Sequence, residues 1–377
     1  MAAAHGSAPA RVVRIFSALA MVPLDMQTCS RIGLASSLAV ACALVSVRVS
    51  LESFQASSSS LPSRLEEYLR TTVRPTASER KLLTAGGPIA KLLDADAGKE
   101  VAVFGAVWIN APVGAYIEAA KDIETFEKGG RFKLTQRISA PPRLEDFAAL
   151  HLPEDDVNDL RLCRVGHCQL KLGEKGLQAF RTEVNWNGFG TQAAAEAVMR
   201  RLAFEYVNGY LEGGNERLAV YRDSSRPTFV ATEFRSMVDR MPALTTYMPN
   251  MRRYLLEYPR ATLPDATSFL YWQETDFGLK PTIRINHVTI REGPDIAIVA
   301  SKMLYATHYF WTALELRVLL PDAARGQGFW LVTISRGRSD GLGGFTGIFV
   351  RRRARSEALN SVLTALTATK GRLERPR

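Results

Sequence analysis

At 377 residues the chain can hold one large domain or two medium ones, each with a real core. Its apolar fraction of 46% and charged fraction of 23% are ordinary for a folded globular protein. The formal charge of +10 is a modest excess: residues 1–50 contribute four arginines and one aspartate, and residues 348–377 carry eight basic residues against two acidic ones.

The N-terminus reads as a targeting segment. Arg31 precedes Ile32–Val47, a run of apolar and small residues with no charge before Arg48. That order matches the basic and apolar regions of a secretory signal. Residues 1–49 are therefore expected to be a signal peptide or an anchor, with Met21 or Met26 as alternative starts. The expected location is exported, periplasmic or extracellular, with N-terminal membrane anchoring as the alternative. Residues 50–96 follow as a serine-rich linker and two short helices, Arg64–Thr72 and Ser78–Leu83.

Val101–Ile109 has the composition of a buried strand, broken by Asn110-Ala-Pro112. Val113–Lys128 then carries Tyr116, Ala119, Ile123 and Phe126 at helical spacing, and Phe132–Ile138 suggests a second strand. From residue 136 to 259 the pattern is mostly helical. Its clearest helix is Thr191–Leu211, closed by Gly213-Gly214, and shorter ones are expected at Leu144–Leu150, Phe229–Val238 and Pro249–Leu256. Glu154-Asp155-Asp156 reads as a solvated acidic loop. Cys163 and Cys168 flank Arg164-Val165-Gly166-His167, which reads as the loop of a hairpin over 159–172. A pair closing such a hairpin is close enough for a disulfide, and an exported chain meets an oxidising compartment. Free thiols or a metal site are the alternatives, though Cys-x4-Cys with His167 is short of ligands. No metal and no cofactor is expected.

The chain then turns to β. Phe269–Thr275, Thr282–Arg291, Ala297–Tyr305, Ala313–Leu320 and Phe329–Ser335 have strand composition and short, turn-rich joints, as in an antiparallel meander. The last element, about Ile348–Leu373, is a helix with Leu359, Val362, Leu363, Leu366 and Leu373 on one stripe. It is preceded by a cluster of Arg351, Arg352, Arg353 and Arg355, which suits a peripheral contact with an anionic membrane as well as a plainly solvated face. The basic residues are not interleaved with exposed aromatics, so nucleic acid is not an expected partner.

The fold class expected is α+β: an antiparallel sheet gripping a long C-terminal helix, with a mostly helical middle segment. The stretch VAVFGAVWINAPVGAYIEAAKDIETFE, followed by the meander and the final helix, resembles the helix-grip fold of the START/Bet v 1-like (polyketide-cyclase-like) superfamily. The resemblance covers residues 97–135 and 265–377 in element order, within an expected helix-grip-like domain of 97–135 plus 260–377 that 136–259 interrupts. It implies a curved sheet around an apolar cavity that binds lipids, sterols or other hydrophobic ligands. A minority of members catalyse cyclisation or hydrolysis, and no shared catalytic set exists to carry over.

Strand phase selects candidate residues independently. Ile283 and Ile285 share a face with His287, while Arg284 and Asn286 take the other; Trp330, Val332 and Ile334 share a face with Arg336. Glu315 and Arg317 point outward or toward a covering helix. The expected cavity lining is Trp272, His287, Tyr305, His308, Tyr309, Trp311 and Trp330, with Arg336 and Arg338 at its mouth beside a glycine-rich turn able to hold a carboxylate or phosphate. The expected function is binding or transfer of a lipid-like hydrophobic ligand. The alternatives are a hydrolase or cyclase using His287 or His308 with Asp340 or Glu315, and an envelope scaffold acting through the helical middle segment.

Overall fold

Val101–Ile109 is apolar in both strand phases, so the strand it forms must be covered on both faces. The computed structural model describes residues 61–276 and 280–375; the expected targeting segment and serine tract fall outside them. Two helices come first, α1 (Ser63–Tyr68) and α2 (Ala77–Thr84). The second is started by a capping box in which Thr76 Oγ1 accepts from the Glu79 amide and Glu79 accepts from the Thr76 amide. Strands β1 (Ile89–Leu92) and β2 (Glu100–Ile109) follow. Next come α3 (Val113–Lys121), α4 (Ile123–Phe126) and β3 (Phe132–Arg137). The single helix expected over Val113–Lys128 breaks at Asp122, whose carboxylate caps Thr125 and restarts the chain as α4.

The middle segment holds α5 (Glu154–Leu162), α6 (Glu174–Glu183) and α7 (Thr191–Gly213). It continues through a small ribbon, β4 (Val220–Tyr221) and β5 (Thr228–Phe229), to α8 (Val230–Asp239) and α9 (Pro249–Glu257). Cys163 and Cys168 form a disulfide with Cα atoms 4.4 Å apart. The hairpin expected around them is corrected: α5 runs straight into Cys163, and only Arg164 and His167 make a bridge. Three acidic residues in its first turn, favourable at a helix N-terminus, start α5 where the sequence reads as a loop.

The meander is β6 (Ala266–Thr275), β7 (Thr282–Arg291), β8 (Ala297–Ala306), β9 (Phe310–Pro321) and β10 (Phe329–Ser339), and the last helix is α10 (Gly344–Leu373). Eight strands form one antiparallel sheet in the order β1-β2-β10-β9-β8-β7-β6-β3. The protein is therefore α+β, with a long C-terminal helix packed on the sheet and a helical middle segment.

Both faces of the sheet are buried. One carries Val103, Val107, Val288, Val299, Leu319 and Leu331 against α3, α4 and α10. The other carries Phe104, Leu316, Trp330 and Ile334 against α1, α8 and α9, and Trp272, Ile283, Ile285 and Leu304 against α5–α7. The 136–259 segment thus covers the face that α10 does not. Near one edge of the sheet, β2 lies under Val362 and Leu366 of α10; from the loop before β3, at the other edge, Arg131 donates to Ser361 Oγ at 2.6 Å. Since both edges reach one helix, the sheet curves around it.

The close seat of α10 depends on Gly105. A Cβ there would stand 2.4 Å from Val362 Cγ1 and 2.8 Å from Leu366 Cδ1. Gly105→Val is expected to lower stability by about 1–3 kcal/mol, the usual cost of overpacking a tight core. Urea denaturation checks this, and an unchanged midpoint would show that α10 does not seat on β2 at this residue.

Candidate functional site

Cross-strand pairing sets which side chains face α10. Tyr271 pairs with Asn286, Gln273 with Arg284, Ser301 with Glu315, and Glu315 and Arg317 with Ser335 and Thr333 of β10. These positions share the phase of Val103, Val288 and Leu319, so they lie on the α10 face. The face is apolar beneath α3 and polar toward the start of α10. It does not carry the aromatic lining expected from the sequence.

The polar part is dense with charge. Arg317 bonds Glu315 at 2.9 Å and lies 3.6 Å from Glu127. Burial works against the Arg317 charge, but Glu315, Tyr116 and Glu127 more than offset it and hold the guanidinium above its ordinary range. Glu127 also accepts from Tyr271 Oη at 3.2 Å and Gln273 Nε2 at 2.7 Å. Burial, reinforced by Glu127, pushes the Tyr271 phenol well up, so it stays a donor. Arg284 donates to Gln273 Oε1. For Arg131, burial and then the neighbouring Arg284 charge draw the guanidinium below its usual value. From α10, the Glu357 charge also acts on Arg131. Asn286 Nδ2, Arg353 Nε and Glu357 Oε2 are buried without a hydrogen-bond partner among the described residues. Asn286 is only 4% exposed. An amide that deep with an unused N–H₂ carries a desolvation cost that a ligand or water would relieve.

The residues expected to line the cavity lie on the opposite face. Trp272 donates to the Asp146 carbonyl at 2.8 Å and Trp330 to Asp322 at 3.1 Å. Tyr305 packs against Tyr206 and Tyr221, Tyr309 Oη accepts from the Lys280 amide, and Trp311 is half-buried with Lys99 over its ring. Arg336 and Arg338 are not donors at a cavity mouth. They lie within β10, where both bond Glu100, and Arg338 also bonds Glu233 at 2.7 Å. The expected pairing of a histidine with Asp340 or Glu315 is also corrected. Asp340 bonds Lys171 at 2.6 Å, and Glu315 faces α10 with Arg317.

His308 instead meets Asp156, with Nε2 2.9 Å from Oδ2, while its Nδ1 lies 3.2 Å from the Gln169 carbonyl. Both ring nitrogens face acceptors, so only the doubly protonated ring can donate to both. Asp156, read from the sequence as part of a solvated loop, is 1% exposed and also accepts from Lys280 at 3.1 Å. Comparison with protein families, curated proteins and solved structures finds no match for the chain.

A third buried group centres on Lys302, 1% exposed. It bonds Tyr210 Oη at 3.3 Å and Asn215 Oδ1, both neutral, and lies over the Phe234 ring at 4.4 Å. Tyr210 Oη in turn bonds His287 Nδ1 at 3.0 Å. Burial draws the Lys302 amine down to about 7; burial, then the Lys302 charge, draws the His287 ring down to about 3. His287 is thus a neutral core histidine.

Sequence reasoning did not single out Arg131, Glu127, Glu357 or Asn286 as site residues. The signal for the strand positions was present: Arg284, Asn286, Glu315 and Arg317 all fall on the phase opposite the apolar one in their strands.

Two outcomes test these assignments. In the unfolded chain Lys302 keeps its proton up to about 10.5, whereas in the fold it releases it near 7. Between those values the unfolded state binds more protons, so Lys302 makes stability rise with pH there. Relative to Lys302→Met, the native chain should gain about 4 kcal/mol between pH 7 and 10, at 1.36 kcal/mol per pKa unit. Parallel urea profiles for the two proteins would refute the assignment. Glu100→Gln strips Arg336 of its carboxylate and Arg338 of one of its carboxylates, and should cost about 3–5 kcal/mol, read as a drop in melting temperature.

Proposed function

We propose that the chain is an exported ligand-binding protein of the START/Bet v 1-like, helix-grip kind, with its ligand held between the sheet and α10. The observation that carries this is Asn286 Nδ2, on the sheet face that α10 covers, 4% exposed and without a hydrogen-bond partner among the described residues. Further support comes from the element order, strand to helix pair to meander to final helix, and from a sheet whose two edges both reach α10.

The polar lining alters the expected ligand. A uniformly hydrophobic molecule would leave the Asn286 amide desolvated and unrewarded. An amphipathic one fits both halves, with a hydrogen-bonding head near Asn286 and Arg284 and an apolar body toward Val288 and Phe269. The Cys163–Cys168 disulfide fits an oxidising compartment and so supports export. The hydrolase or cyclase reading finds one of its two candidate histidines beside a carboxylate, His308 with Asp156, where both groups are buried and Lys280 shares the carboxylate; the His151–Glu196 contact at 3.4 Å lies at the surface. Binding is the better-supported reading.

Organic extraction of the purified protein followed by mass spectrometry is expected to release a reproducible amphipathic molecule. Asn286→Leu should cut its recovery about tenfold, the effect of losing roughly one charge-assisted or well-placed hydrogen bond of 1.5 kcal/mol. An extract without any such molecule, together with a melting temperature that no amphipathic additive shifts, would overturn the proposal.

A further inference from the structure

The four arginines at the start of α10 do not act alike. Arg351 turns inward and donates to the carbonyls of Ala97 at 2.8 Å and Leu342 at 3.4 Å, and Arg353 is half-buried with its Nε out of contact with solvent. Arg352 and Arg355 are exposed. Beside them stand Ile348, 49% exposed, and Phe349, 70% exposed. At 100° per residue these four side chains share about one third of the helix circumference. A fully solvated face has no reason to hold a phenylalanine and an isoleucine there.

The helix pattern gives this ridge further meaning. Leu359, Val362 and Leu366 form the stripe of α10 that packs on the sheet. Extended toward the N-terminus at the same helical angle, the stripe runs through Arg355 and Arg352 to Ile348, where it emerges into solvent. Where it emerges, a cleft of about 450 Å³ opens between α10 and the β1–β2 edge. Leu92, Leu93 and Ala102 supply apolar lining, and Arg351 and Arg355 stand on its helix side. The cleft also holds Asp94, exposed, and Glu100, whose oxygens are already taken by Arg336 and Arg338.

We infer that this end of α10 docks on an anionic lipid bilayer. Phe349 and Ile348 enter the interfacial layer while Arg352 and Arg355 meet lipid phosphates. An aromatic and an aliphatic side chain interleaved with guanidiniums on one third of the helix circumference is the arrangement that such a surface rewards. A free soluble anion would use the arginines and leave the apolar pair unexplained. The inference is separate from the ligand reading: vesicle binding is measured without any ligand, and its failure leaves the extraction result as it stands.

The test is co-sedimentation of the full chain with phosphatidylcholine vesicles, with and without phosphatidylglycerol. Comparison within the full chain keeps any contribution of residues 1–60 constant. Binding is expected on the anionic vesicles only, weakening as salt is added. The double variant Arg352→Gln/Arg355→Gln should lower partitioning on the order of thirtyfold, from the worth of two basic residues near an anionic surface. Ile348→Ser/Phe349→Ser should weaken binding at every salt concentration, and both variants should keep the native melting temperature because the altered side chains are exposed. Equal binding to neutral and anionic vesicles, unchanged binding in both variants, or protection by inorganic phosphate without vesicle binding would each overturn the inference.

Discussion

Coverage of the sheet on both faces is the constraint on which the rest of the structure depends. A one-sided antiparallel sheet can direct its polar phase to water, and alternation along each strand then sorts inside from outside. Here α3, α4 and α10 cover one face, and the N-terminal and middle helices cover the other. A polar side chain on the central strands must therefore find a partner inside the protein or, like the Asn286 amide, bear a desolvation cost. Glu100 with Arg336 and Arg338, Asp156 with His308 and Lys280, and Tyr210 with Lys302 and His287 are three solutions on one face. Arg317 with Glu315 and Glu127 is the solution on the other.

The same constraint explains which parts of the fold the sequence made legible. The strands from β6 to β10, the long α7 and α10 all stand out, since each is an uninterrupted run whose composition and period agree. Residues 154–162 did not, because EDDVNDLRL offers little apolar surface and its acidic first turn resembles a loop. Only tertiary burial of Val157 and Leu160 makes it a helix. The cysteine pair was legible from spacing and compartment, while the geometry around it was not. A helix end brings two cysteines together as readily as a hairpin does.

The candidate site was half legible, for a related reason. Strand phase separates Arg284, Asn286, Glu315 and Arg317 from their apolar neighbours without difficulty. It cannot say which phase looks at α10, because apolar residues occupy both. The aromatic phase, with Trp272, Tyr305 and Trp330, reads as the lining of a pocket; it is the packing surface of a helical layer. The polar phase reads as solvent-facing; it is roofed by α10. Arg131 and Glu127 lie in the loop before β3, where no periodicity reports a side chain's direction. Glu357 on α10 shows itself only once the helix is seated.

That seating depends on Gly105, and it makes α10 a helix of two halves. Over β2 the missing Cβ lets Val362 and Leu366 sink onto the backbone, which pins the C-terminal half by dispersion and burial worth roughly 1.5–3 kcal/mol per side chain. Lys370 and Glu374 add bonds to the Trp108 carbonyl and the Asn110 amide at the same end. Toward its start the helix buries Val350, and its polar grip rests on Arg131 donating to Ser361 and on Arg351 reaching the Ala97 and Leu342 carbonyls. These are few, partly solvated hydrogen bonds, each worth about 1 kcal/mol net. Local opening follows the weakest contacts, so α10 is expected to yield at its N-terminal end first. That end carries the exposed Phe349, Arg352 and Arg355.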